Sequence, residues 1–383
     1  AQEAFRQPQE TVTDRTRDLH YITLALRLAA KGQGTTSPNP MVGAVVVRQG
    51  RIIGQGFHLR PGTPHAEILA LRQAGMQARG GTLYVTLEPC CHLKKRTPPC
   101  VPEILCSGVR RVVIAMLDPN PAVKGKGVAA LRRAGLSVTV GMARSEAEEL
   151  NKSYGHWMKT GRPYVTLKAG MTLDGKLATA TGESRWITSA ASRREVHHLR
   201  GSVDAVLIGV GTVLADDPSL TARTGPRLKK LVLKQPLRIV VDSRLRTPLK
   251  AQVLAQQDRA KTIIVTTAAA PVARRSALQK NGIEILTLPA LQGRVSLSPL
   301  LKELGRRGIM SLLVEGGGEV NAAMLKAKLV EHVRLYMAPR LLGGQNAKGL
   351  IGGESPARLV GAIALRHVVT RSVGHDVVVE GDL

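Results

Sequence analysis

Aromatic residues are scarce in this 383-residue chain: two Phe, two Trp and five Tyr. A groove that binds single-stranded nucleic acid needs several flat side chains on which bases stack, so the shortage argues against one. Acidic residues are also in the minority, 28 Asp and Glu against 55 Lys and Arg, for a formal net charge of +27. That excess favours phosphate-bearing partners. With so few stacking platforms, the expected partner is a small phosphorylated molecule and not a specific nucleic acid. No run of 18 apolar residues occurs, so no transmembrane helix and no membrane partner are expected. The first residues mix Glu3, Glu10, Asp14 and Asp18 with arginines. They lack the apolar core of a signal peptide, so a disordered lead-in over 1–17 and a cytoplasmic location are expected. Cysteine occurs at four positions only, all between 90 and 106. Such clustering in an otherwise cysteine-free chain suggests metal binding, not disulfides.

What is present points to two α/β domains. The length exceeds one ordinary core, and 43% of the residues are hydrophobic, enough to fill two. Leu19, Ile22 and Leu26 repeat at helical spacing over 18–31. Strands are expected at 41–47, 51–56, 82–87 and 111–116, and helices at 65–73, 101–107 and 128–134. This alternation implies a sheet with helices on both faces. A charged helix over 145–159 leads to the break at Thr160-Gly161-Arg162-Pro163. Strands resume at 164–169, 205–210, 237–241, 262–266, 309–314 and 331–338, with a helix over 189–200 and another opening after Gly318. The expected division is a first domain over 18–145, a connection over 146–162 and a second domain over 163–383.

The chemistry-bearing pattern is His65-Ala66-Glu67, then Pro89-Cys90 and Cys100. A catalytic zinc takes three protein ligands and keeps its fourth position open. His65 at a helix start, Cys90 after a strand and Cys100 at the next helix start supply the three. Glu67 stands two residues past His65 and is the expected proton shuttle. The arrangement is that of zinc deaminases acting on nucleobases. Between the cysteines lies a basic loop, with Lys94, Lys95 and Arg96 suited either to a phosphate or to solvent. Cys91 and His92 are alternative ligands. Cys106, in a short apolar helix, is expected in the core.

At these residues the chain resembles the bifunctional deaminase–reductase family of riboflavin biosynthesis. The resemblance runs from about residue 18 to 380. It rests on Pro38-Asn39-Pro40-Met41-Val42-Gly43, the His65 and Cys90–Cys100 segments, Asp118-Pro119-Asn120-Pro121, Leu173-Asp174-Gly175, Gly182–Ser189, Asp216-Asp217-Pro218 and Val314-Glu315-Gly316-Gly317. The step from Cys90 to Cys100 is one residue longer than is usual in that family. The resemblance implies a cytidine-deaminase-like three-layer α/β/α domain followed by a dihydrofolate-reductase-like α/β domain. It implies zinc on His65, Cys90 and Cys100, Glu67 as catalyst and Asn39 on the pyrimidine. In the second domain it implies NADPH near Gly170, Trp186, Thr212, Asp216, Ser243 and the run Gly317, Gly318, Glu319, Val320, Asn321, Ala322 and Ala323. Substrate contacts would be Lys168, Ser184, Arg200, Leu220, Arg223 and Glu315. The implied activity is hydrolytic deamination of a diaminopyrimidinone ribosyl phosphate, then reduction of its ribosyl group to ribityl by NADPH, in a homo-oligomer.

Two other readings compete. One is a tRNA or nucleic-acid deaminase with an appended binding domain, which the net charge favours. The other is a basic nucleic-acid-binding protein with a structural zinc closed by a fourth ligand such as Cys91 or His92. Lys168, Arg200 and Arg223 suit a sugar phosphate and Trp186 a flat ring. No full G-x-G-x-x-G follows the early strand of the second half, so a Rossmann site is not expected there.

Overall fold

The computed structural model describes residues 12–92, 97–223 and 234–383. The chain divides into two compact units, 1–159 and 160–383. The first runs α1 (Val12–Ala30), β1 (Gly43–Arg48), β2 (Arg51–Phe57), α2 (Ala66–Ala74), β3 (Thr82–Leu87), α3 (Cys100–Cys106), β4 (Arg111–Met116), α4 (Lys126–Arg133), β5 (Ser137–Val140), α5 (Arg144–Leu150) and α6 (Lys152–Thr160). Its sheet has the order β2-β1-β3-β4-β5. β1 is antiparallel to both neighbours, and β3, β4 and β5 are parallel.

Alternation along each strand sends side chains to opposite faces. Ala44, Val46, Leu83, Val85, Val112 and Ile114 pack with residues of α2, α3 and α4. Val45, Val47, Tyr84, Val113 and Ala115 pack with Tyr21, Ile22, Ala25 and Leu28 of α1 and Ala147 of α5. This is the expected three-layer α/β/α arrangement.

Two segments differ from expectation. Residues 12–17, expected within the lead-in, already belong to α1. Asp14 sits in its first turn, where a carboxylate meets the positive end of the helix dipole, and pairs with Arg17 at 2.5 Å. Asp18 is fully buried. It accepts hydrogen bonds from Arg111 at 2.8 and 2.6 Å and from the Tyr84 hydroxyl at 2.7 Å. Its charge resembled a solvated surface but anchors the helix to the sheet. The helix expected over 145–159 is two helices, broken at Asn151. That side chain receives Met41 N–H at 2.8 Å and donates to Met41 C=O at 2.9 Å, tying the segment to the loop before β1.

The second unit runs β6 (Tyr164–Thr172), β7 (Lys176–Ala178), α7 (Ala190–Ser202), β8 (Ala205–Gly209), α8 (Val210–Asp216), β9 (Leu237–Val241), β10 (Thr262–Thr266), α9 (Val272–Lys280), β11 (Glu284–Thr287), β12 (Ala290–Leu291), β13 (Arg294–Val295), α10 (Leu297–Arg306), β14 (Ser311–Val314), α11 (Gly318–Lys326), β15 (His332–Ala338), β16 (Lys348–Gly349), β17 (Arg366–Val373) and β18 (Asp376–Asp382). Nine strands form one sheet in the order β11-β10-β9-β8-β14-β6-β15-β18-β17. Pairings from β11 to β15 are parallel, and the last two are antiparallel. Both faces of the parallel part carry apolar clusters.

The chain moves outward from β6 to β8 and on to β11, then returns with β14 between β8 and β6. A strand order that reverses in this way opens a crevice at the carboxyl ends of the strands, where open α/β sheets bind ligands. No helix among the described residues is long and apolar enough to cross a membrane.

Candidate active sites

In the first unit, His65 is the N-cap of α2 and Cys100 is the first residue of α3. Cys90 follows β3. Its carbonyl accepts the Cys100 and Val101 N–H groups at 3.0 and 3.3 Å, so the strand end caps the helix that carries the second cysteine. The three side chains converge. His65 Nδ1 lies 3.5 Å from Cys90 Sγ and 3.2 Å from Cys100 Sγ, and the two sulfurs are 3.5 Å apart. Tetrahedral zinc with Zn–S bonds of about 2.3 Å separates two thiolates by about 3.8 Å. A slight opening of the trio therefore accommodates the ion. Its donor set of two thiolates and one imidazole is one zinc favours.

His65 Nε2 lies 3.1 Å from Thr97 Oγ1. With Nδ1 committed to a metal, Nε2–H donates to that hydroxyl and fixes the ring. Among the described residues, His65, Cys90 and Cys100 are the group able to hold a metal. Neither Cys91 nor His92 joins it, which leaves the closed four-ligand structural site without its fourth side chain. Cys106 is exposed at the end of α3, not in the core, because α3 turns Cys100, Val101 and Ile104 inward instead. The cations Lys94, Lys95 and Arg96 lie outside the described residues.

Glu67, in the first turn of α2, is 3% exposed. Burial, and then the nearby Cys90 sulfur, push its carboxyl above the ordinary range, so the group is able to hold a proton and return it. Asn39 donates from Nδ2 to His58 Nε2 at 2.9 Å. His58 Nδ1 faces the Pro64 carbonyl at 3.4 Å, and its ring meets that of His65 edge-on, with centroids 5.2 Å apart. The sequence reading missed His58, a lone histidine with no motif around it.

Glu88, part of the Glu88-Pro89-Cys90 stretch that carries the resemblance, was given no role. Its carboxylate, 2% exposed, accepts N–H groups of Asp118 at 3.2 Å, Gly125 at 2.9 Å and Val128 at 3.1 Å. It clamps the loop after β4 against the strand end bearing Cys90. A Cβ at Gly127 would stand 2.2 Å from the Pro89 carbonyl, so only glycine lets α4 approach so closely.

In the second unit a cavity of about 1030 Å³ opens at the carboxyl ends of β6, β8 and β14. Of the expected residues, Lys168, Gly170, Ser184, Trp186, Arg200, Thr212, Asp216, Leu220, Arg223, Glu315, Gly317, Gly318, Glu319 and Val320 line it. Ser243 and Asn321–Ala323 do not. Ser243 Oγ accepts the Val295 N–H at 3.0 Å. Asn321 is fully buried and donates to the Leu350 carbonyl at 2.9 Å. Ala322 and Ala323 lie further along α11, and Ala323 is exposed.

Three of the cavity's charges are paired with one another. Arg200 grips Glu315 with two hydrogen bonds of 2.6 and 2.9 Å, and Lys168 Nζ lies 3.2 Å from the same carboxylate. Burial alone would raise the Glu315 carboxyl, but Arg200 and Lys168 outweigh it and hold the group well below the usual range. The trio carries one net positive charge. Arg223 is exposed and donates to the Ser219 hydroxyl at 2.8 Å. Trp186 is 62% exposed, with the Arg193 guanidinium 4.5 Å from its ring centre, so it is a wall of the cavity and not core. Gly316 is sterically required, since its Cβ would stand 2.8 Å from that of Val320. Gly317 caps α11, where free N–H groups suit a phosphate. Arg193, His197, Tyr336 and Lys348 also line the cavity, and the sequence reading named none of them.

Comparison with known proteins agrees with this division. The family model of the cytidine and deoxycytidylate deaminase zinc-binding region matches residues 15–116, and that of the RibD C-terminal domain matches 163–379. The chain is 45% identical to the riboflavin biosynthesis protein RibD of Bacillus amyloliquefaciens, over 94% of each chain. It is 43% identical to RibD of Escherichia coli, over 94% of this chain and 98% of the relative. Among solved structures, Acinetobacter baumannii RibD superposes with a TM-score of 0.87 at 36% identity, covering 96% of this chain and 99% of that one. The Thermotoga maritima diaminohydroxyphosphoribosylaminopyrimidine deaminase/5-amino-6-(5-phosphoribosylamino)uracil reductase gives 0.83 at 35% identity, with the same coverage. These full-length matches do not favour the nucleic-acid readings. The chain belongs to the RibD family and is a bifunctional deaminase and reductase of riboflavin biosynthesis, using zinc for the first activity and NADPH for the second.

Proposed function

We propose that the first unit deaminates a diaminopyrimidinone ribosyl phosphate and that the second reduces the ribosyl group of the product to ribityl. The observation that carries this is the convergence of His65, Cys90 and Cys100 beside the buried carboxyl of Glu67, in a chain whose second unit holds a separate cation-lined cavity. Zinc held by the three ligands supplies the Lewis acidity that makes water a nucleophile near neutral pH. Glu67 takes the water proton and delivers protons to the ring nitrogen and the departing amine. The ring thus gains oxygen and loses ammonia. Asn39, oriented by His58, holds the pyrimidine edge. Thr97 keeps the His65 ring in place.

In the second unit NADPH supplies the hydride that reduces the sugar carbon. Gly170, Trp186, Thr212, Asp216 and Gly317–Val320 would hold the cofactor, and the N–H groups at the α11 N-terminus would suit its phosphates. Ser184, Leu220 and Arg223 hold the sugar phosphate, and the Lys168–Glu315–Arg200 trio faces the reacting end. The partner is a small molecule. A homo-oligomer in the cytoplasm belongs to the same proposal. Its support is the sheet edge at β17, where Val368 and Val369 are 53% and 60% exposed. Sedimentation of wild type and Val369→Lys tests the assembly, and a wild-type monomer at micromolar concentration would count against it.

The activity is tested by following ammonia release and NADPH oxidation together for wild type and Glu67→Ala. Wild type should show both signals. The variant should show neither with the diamino substrate but should oxidise NADPH when given the deaminated pyrimidine. Ammonia without NADPH loss in the wild type would remove the reductase half of the proposal.

A further inference from the structure

Helix α7 turns one face to the cavity. Arg193, Val196, His197 and Arg200 all line it, at the three- and four-residue steps that share a helix face. Arg193 stacks on Trp186 and Arg200 is bound to Glu315. His198, one residue on, is exposed. His197 is half-buried and has no role in the reading above. Its Nδ1 lies 3.1 Å from the Thr221 carbonyl. A carbonyl only accepts, so Nδ1 carries the hydrogen and Nε2 of the neutral ring keeps its lone pair.

Six cations line the cavity against four carboxylates, and several carboxylate oxygens are already engaged. Lys168 and Arg200 donate, Glu315 is occupied by both of them, and Asp216 Oδ1 already receives the Ser184 hydroxyl at 2.9 Å. A ribosyl or ribityl chain brings several hydroxyl donors that need acceptors once they leave water. We propose that His197 is a substrate-binding residue of the reductase site, its Nε2 accepting a hydrogen bond from a sugar hydroxyl. Burial, and then the charge of Arg200, lower its proton affinity, which keeps the ring in the accepting form. The Thr221 carbonyl aims the ring, and the neighbouring Leu220 and Arg223 place it beside the sugar phosphate. This role rests on the proposed reductase function.

The test is steady-state reduction of the deaminated ribosylaminopyrimidine phosphate by wild type, His197→Leu and His197→Gln full-length protein. Loss of one hydrogen bond should raise the KM of His197→Leu for the pyrimidine about tenfold, with the KM for NADPH unchanged. Gln restores an acceptor, so His197→Gln should stay within about threefold of wild type. Ammonia release, read on the same samples, reports that each variant is folded in its first unit, and NADPH binding reports the second. A wild-type KM in His197→Leu, or equal losses in Leu and Gln, would overturn the role of His197. A wild type that binds NADPH but does not reduce the pyrimidine would instead overturn the reductase function itself.

Discussion

The two sites solve different problems with different parts of the chain. The metal site draws its ligands from two helix starts and one strand end, within residues 65–100, and two of the three are buried. The reductase cavity gathers residues from 168 to 348 and pairs its most buried charges, with Glu315 shared between two cations. A site that must hold one ion is local, rigid and readable as spacing. A site that must hold a long cofactor beside a sugar phosphate is assembled from loops at a sheet's carboxyl edge. Its polar groups hold one another until a ligand arrives.

The contrast predicts separable failure. Chelation, or Cys100→Ser, should abolish ammonia release, because two remaining ligands hold zinc poorly. NADPH oxidation on already deaminated substrate should be unaffected, and zinc should restore the chelated wild type only. Loss of both activities on chelation would break the comparison. Next in size, Glu67→Gln should lower ammonia release about a thousandfold while retaining zinc by metal analysis. Retained activity in that variant would mean that another group moves the proton.

How far each site was legible follows from the same difference. The trio of ligands and Glu67 was readable because H-x-E and Pro-Cys place chemistry at fixed steps along one helix and one strand end. Thr97 and His58 were not, because they act on the ligands and on Asn39 across gaps in sequence with no period. Asp18, grouped with the mixed charges of the lead-in, gave no sign of its role, because its partners Tyr84 and Arg111 lie far along the chain on β3 and β4. Parallel strands such as β8 and β10 are buried on both faces, so they stood out as apolar runs. The hairpin β17–β18 did not, since β17 is exposed along nearly its whole length. Most of the residues that family resemblance named in the second unit line the cavity. The resemblance also placed Asn321 on the cofactor, whereas its side chain is turned to the interior. His197 needed the helix face to be seen.

The buried ion trio of the cavity gives the third effect. Glu315→Gln leaves Arg200 and Lys168 without their counter-charge in a site where the carboxylate is 8% exposed. Removing one partner of a buried pair costs about 3 kcal/mol or more. The expected result is a lower denaturant midpoint for the second unit's transition, with ammonia release intact. An unchanged midpoint would mean that water already screens the trio.

The smallest effect separates the two sites by pH. His197 is lowered from the ordinary 6.5 to about 4, by burial first and Arg200 second. The folded state therefore takes up this proton less readily than the unfolded chain. Its contribution to stability is complete above 6.5, declines as pH falls from there, and is lost by about 4, where the folded ring is itself protonated. The ring is only partly buried, so solvent screening keeps the effect small. His197→Gln, which has no such proton, should lose less melting temperature between pH 7 and pH 4.5 than wild type, by about 2 °C for a unit of this size. Parallel melting curves for the two proteins would show that His197 is as well solvated folded as unfolded, which would also weaken its assignment as a buried acceptor.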